Sequence, residues 1–214
     1  MAPDGIVTPE QATDVVFPTD GWREVDAEPN WRQWTNEYGD VLAKTTVPLG
    51  TVPALREDRS EMIGLFRALS ERRGGALFSV DAFAEEAIPA VQWIYKKRAN
   101  GLGFLYYAAL YIDVATHTVV ISLVAGERGM TGLRETDVVL LLVSQGRLKL
   151  PRGPGASDTP IEGWFVDPYD DDYDGPVLRS IADSEEFDDR IPDHPLTRLR
   201  RTLRDLRASM TFVE

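Results

Sequence analysis

Asp170, Asp172 and Asp174 alternate with other residues and are followed by Gly175, giving the spacing D-x-D-x-D-G. Carboxylates at the first, third and fifth positions, with glycine at the sixth, make the first half of a helix–loop–helix calcium loop. Val177 supplies the apolar residue of the eighth position, and Pro176 leaves a usable carbonyl at the seventh. The twelfth position, where a bidentate glutamate closes the coordination shell, is Ile181, which coordinates nothing through its side chain. Pro168 stands where an incoming helix should end, and Trp164 to Val166 before it reads as a strand. Asp170, Asp172 and Asp174 are therefore the best metal-ligand candidates of the chain. The expected role of the segment is nonetheless a turn whose aspartates cap nearby N–H groups. A metal would need Asp183, Glu185 or Glu186 to complete its shell.

Other chemistry is sparse. The two histidines are His117, in a predicted hairpin turn, and His194, at a predicted helix start beside Asp193. There is no G-x-S-x-G elbow, H-E-x-x-H, Walker loop or G-x-G-x-x-G. Gly101-Leu102-Gly103 lacks the third glycine and sits in a hairpin. No cysteine is present, which excludes disulfides, thiol catalysis and zinc sites with sulfur ligands. Neither a catalytic residue nor a cofactor is predicted. Trp31, Trp34, Trp93, Tyr95, Phe104, Tyr106, Tyr107 and Tyr111 concentrate in predicted strands, where core packing is the expected use. Lys96-Lys97-Arg98 reads as an exposed basic hairpin tip.

The elements that must position these residues follow from periodicity. Trp22 to Val25, Trp31 to Trp34 and Val41 to Val47 read as strands. A helix follows, with Thr51 as its expected cap, Pro53 in its first turn, and Met62, Ile63, Phe66 and Leu69 on one face. Gly74-Gly75 ends it. Ala90 to Lys97, Phe104 to Asp113 and Val119 to Val124 form an antiparallel meander over 90–124, with Asn100-Gly101 as a two-residue turn. Phe104 to Asp113 is apolar on both faces, so it should be covered on both, or covered on one and carry an interface on the other. Thr131 to Gln145 is open between two readings, a strand by the composition of Val138 to Val143 and a helix with Thr131 as N-cap and Gly146 at its end, and the helix is the expectation. Arg152 to Pro160 reads as a loop. Leu196, Leu199, Leu203, Leu206 and Met210 form the stripe of a closing amphipathic helix from His194 to Met210, capped by Asp193. Its arginines are expected to stay at the surface and face the acidic stretch 157–193.

The chain of 214 residues is 43% hydrophobic and 27% charged, the balance of an ordinary globular protein. The expectation is one α+β domain over 1–214: an antiparallel sheet with two or three helices, a lightly ordered arm at 1–20, and the acidic tail 157–193 packed on the core. The net charge of −12 argues against nucleic acid and leaves a basic protein partner open. The amino terminus has no secretory pattern and no apolar run, Val138 to Val143 included, is long enough for a bilayer, so a cytoplasmic location and no membrane partner are expected. Together these features predict a non-enzymatic binding module of the immunity or accessory type, using an acidic surface or a sheet face. The alternative is a divalent-metal hydrolase with carboxylate ligands near 170–174.

Two resemblances accompany this reading. The stretches WFVDPYDDDYDG and SEEFDDRIPDHPLTRLRR, preceded by ERGMTGLRET, resemble a pattern of bacterial proteins, particularly of actinomycetes. The strand–helix–meander order looks like the Mog1/PsbP-type α+β fold, which implies a binding scaffold.

Overall fold

The computed structural model describes residues 11–50, 58–85, 88–151, 153 and 159–213. Seven antiparallel strands form the main sheet: β2 (Arg23–Glu28), β3 (Trp31–Thr35), β4 (Val41–Pro48), β5 (Gly75–Glu85), β6 (Ile88–Arg98), β7 (Phe104–Asp113) and β8 (His117–Gly126). Their spatial order is β2-β3-β4-β8-β7-β6-β5. The predicted meander is β6-β7-β8, paired from Ala90 opposite Ile112 to Asp113 opposite Thr118. Three helices complete the α+β fold: α1 (Arg59–Arg72), α2 (Leu133–Ser144) and α3 (Pro195–Ser209).

Side chains alternate across each strand, so the two faces have separate cores. Tyr106, Ala108, Leu110 and Ile112 of β7 join Val119, Ile121 and Leu123 of β8 under Leu196, Leu199, Leu203 and Leu206 of α3. On the other face, Met62 and Phe66 of α1 meet Val91, Trp93, Tyr95 and Ala109, with Tyr107, Tyr111 and Val120 packed alongside. The strand that is apolar on both faces is thus flanked by apolar side chains on both. A third cluster joins Val138 and Leu142 of α2 to Trp164, Ala182 and Phe187 of the acidic tail.

Several local expectations change. Thr51, the expected cap of α1, and Pro53, expected in its first turn, lie outside the described residues, and Asp58 is its N-cap, accepting the Ser60 and Glu61 N–H groups. Gly132, in the left-handed region, precedes α2 in place of Thr131. His194 rather than Asp193 caps α3, its side chain accepting the Leu196 N–H. Residues 75–85, read as no element, form the long edge strand β5, whose run Ala82-Phe83-Ala84 gave little strand signal. Trp164 to Val166 makes only an isolated bridge, Phe165 to Ser180. Part of the expected arm at 1–20 is the strand β1 (Asp14–Val16), which pairs with β9 (Thr211–Val213), and Ala12 and Val15 belong to the same buried core as the α3 leucines. The β6–β7 turn is a five-residue loop closed by the Ala99 N–H donating to the Gly103 carbonyl. Gly103, not Gly101, takes the left-handed conformation, and a Cβ there would collide with Glu127 and Thr131. That close approach ties the loop to the segment leading into α2.

Candidate functional site

The acidic loop is docked by its own side chains. Arg67 of α1 reaches Asp170 and Asp167 through separate guanidinium nitrogens, each at 2.7 Å, and lies over the Tyr173 ring. The other oxygen of Asp170 accepts the Asp172 N–H at 3.2 Å, and Asp167 accepts the Tyr169 N–H at 2.9 Å, as aspartates do in turns. The Tyr169 hydroxyl accepts the Val80 N–H on the β5 edge. Burial, aided by the Glu71 and Asp167 charges, pushes Tyr173 up to about 12, so it stays a neutral phenol. Asp170 is thus engaged with Arg67, and Asp172 and Asp174 are exposed. Among the described residues, no three Asp, Glu or His side chains are grouped to hold a metal ion.

A second cluster is wholly interior. Lys96, predicted at an exposed tip, is buried and donates to Asp183 at 2.8 Å, while Phe78 and Phe104 flank its ammonium. Only Lys97 and Arg98 of that basic trio reach the surface. Arg134 of α2 has no exposed area; it donates to Asp188, Thr197 and the Ala182 and Ser184 carbonyls. Arg200, expected at the surface, is buried against Asp188 and the Asp183 carbonyl. These bonds tie the acidic tail to β6, α2 and α3. Arg134 was legible in part: it falls four and eight residues before Val138 and Leu142 on the buried stripe of its helix. What it pairs with was not.

The third feature is an open cleft of about 400 Å³ at the end of the sheet where β8 leaves and β4 enters. Tyr38, Met130, Leu133, Ile191 and Pro195 give it apolar walls, and Glu127 and His194 lie deep within its lining. Both of these side chains are only 5% exposed, with His194 Nε2 3.5 Å from Glu127 Oε1, too long for a well-formed hydrogen bond. Glu127 Oε2 accepts the Phe104 N–H at 2.9 Å. Burial opposes ionisation of Glu127, but the imidazole and the Phe104 and Gly132 N–H groups outweigh it and hold its pKa below the usual 4.5. His194 spends its Nδ1 lone pair on the Leu196 N–H. Its Nε2 then carries the ring proton. The imidazole keeps no lone pair with which to act as a base. His117, the other histidine, opens β8 at the far end of that strand, so the two do not converge. Sequence reasoning singled out His194 but missed Glu127, which carries no local motif.

No protein-family model and no curated protein matches the sequence. Among solved structures, the chain is similar to the Ran-binding protein Mog1p of Saccharomyces cerevisiae, at 12% identity and a TM-score of 0.35, over 56% of this chain and 74% of that one. It is also similar to the Pseudomonas aeruginosa protein of unknown function PA94, at 11% identity and a TM-score of 0.33, over 66% of this chain and 85% of that one. A third similar structure is the cyanobacterial PsbP of Synechocystis, at 13% identity and a TM-score of 0.37, over 68% of this chain and 92% of that one.

Proposed function

We propose that this chain is a non-enzymatic protein-binding module of the immunity or accessory type that docks a basic partner on the loop end of its sheet. The observation that carries the reading is the exposure of large apolar side chains there. Leu102 is 86% exposed, Met130 73% and Leu133 53%, and Tyr38 stands beside them at the cleft. The 99–103 loop that bears Leu102 meets the segment before α2 that bears Met130, at the close approach of Gly103 to Thr131. Contiguous apolar surface around a concave site marks interaction surfaces. The chain's negative charge favours encounter with a positively charged protein. The histidine geometry favours binding over proton transfer, since its only lone pair caps a helix.

The test is capture with tagged protein from a lysate of the encoding organism, run beside the double variant Leu102→Asp, Met130→Asp. A partner retained by the wild type and lost with a variant of unchanged circular dichroism supports the reading. Equal retention by both proteins, or none by either, rejects this surface as the docking site.

A further inference from the structure

Glu127 differs from the other buried acids in what faces it. Its carboxylate is nine-tenths buried and held ionised, and its only ion-pair partner among the described residues is an imidazole whose Nε2 forms no hydrogen bond. Three other buried carboxylates face full cations: Asp183 has Lys96, Asp188 has Arg134 and Arg200, and Asp40 has Arg198. The imidazole and the Phe104 and Gly132 N–H groups hold this charge without a full cation beside it. Glu127 differs from the other three in a second way. It lines an open cleft with apolar walls. At that cleft stand two more acids, Glu37 and Asp193. Two cations also line it. Arg198 is already paired with Asp40 through Nε and Nη2 while its Nη1 donates to the Asp193 carbonyl, and Arg128 is exposed and turned to the Gly39 carbonyl.

We propose that this cleft receives a basic side chain of the partner, an arginine or a lysine. The cationic head would approach Glu127 with Asp193 and Glu37 at its approach, and the aliphatic stem would lie on Met130, Leu133 and Ile191. Long basic side chains have this two-part character, an apolar stem and a charged end. A charge-assisted hydrogen bond is stronger than a neutral one. The inference rests on the reading of this end of the molecule as the docking surface, and it names the residue type that the surface selects.

A matched pair of probes tests it without the partner. n-Butylguanidinium and n-butylurea share a stem and a planar head and differ in charge. Binding is followed by NMR through the imidazole signals of the two histidines. The guanidinium is expected to shift His194 and not His117, and to bind about tenfold or more tightly than the urea. Glu127→Gln, which keeps an oxygen for the Phe104 N–H, is expected to bring the two probes within about twofold of each other. Should Glu127→Gln fail to fold, Glu37→Gln with Asp193→Asn is the second variant, and it must narrow the same preference. Equal binding of the two probes, no shift of His194 by either, or a preference untouched by the variants overturns the proposal. Loss of partner capture in Leu102→Asp, Met130→Asp together with failure of the probes would leave the docking surface standing and remove only the basic side chain.

Discussion

At the scale of single residues, burial rather than residue type decides what each charge does. Arg200 and Arg204 sit one turn apart on α3, yet Arg200 is buried against Asp188 and Arg204 is exposed. Arg200→Gln strands Asp188 with one cation fewer in the interior and should destabilise by about 3–5 kcal/mol, the cost of breaking a buried pair. Arg204→Gln should change stability by about 0.5 kcal/mol or less. Urea denaturation of the two variants measures both. The carboxylates divide in the same way. With Asp170 held by Arg67 and Asp172 and Asp174 in solvent, millimolar calcium should leave the melting temperature unchanged. A bound metal at a hundredfold excess over Kd would instead add about 2.7 kcal/mol, and a rise that Asp172→Asn abolished would establish a metal site. Glu127 links to pH. Its folded pKa lies below its ordinary value, so its stabilisation is present above that value and is lost as pH falls through the folded one. Glu127→Gln should therefore flatten the acid limb of stability between about pH 5 and about pH 3, read from urea midpoints.

At the scale of elements, α3 is the clearest case of pattern becoming packing. Its stripe Leu196, Leu199, Leu203, Leu206 is buried throughout, and each such leucine contributes about 1.5–3 kcal/mol through burial. Leu203→Ala should cost about 2–5 kcal/mol, since it leaves a cavity between helix and sheet. Leu140 of α2 is 62% exposed, and Leu140→Ala should cost far less. Guanidinium unfolding of both variants checks the contrast; equal losses would mean that α3 is not part of the core. The three helices also differ in how they begin. α1 has an aspartate cap of the common kind, α2 starts from a left-handed glycine, and α3 is capped by an imidazole that also faces the cleft. The start of α3 thus joins helix stability to the candidate site.

At the scale of the whole molecule, the tail is bound to the rest by charge as well as by apolar packing. Lys96–Asp183 reaches the sheet, Arg134–Asp188 reaches α2, Arg200–Asp188 reaches α3, and Arg67 with Asp167 and Asp170 reaches α1. Trp164 and Phe187 of the tail pack on α2 beside them. We infer from this that sheet and tail unfold as one cooperative unit. Tryptophan fluorescence and far-ultraviolet circular dichroism should then follow a single coincident denaturant transition. Two separated transitions would make the tail an independent unit.

The sequence by itself determined the α+β class, the meander, both long amphipathic helices and the stripe by which α3 packs. Each of these follows from a local period, two residues in strands and 3.6 in helices, that neighbours along the chain are enough to express. It also showed the absence of a familiar catalytic motif and the incomplete calcium spacing. Tertiary structure alone decided which charges go inside. Lys96 lies within a basic trio and Asp183 and Asp188 within an acidic run, so composition marks all three for solvent. Only their meeting across 87 residues, in one case, makes burial tolerable. The same holds at the cleft. Glu127, Met130 and Leu133 come from the segment after β8, Tyr38 from the turn before β4, and His194 from the start of α3. No local period links those segments, because what brings them together is the order of strands in the sheet and the seating of α3 across it.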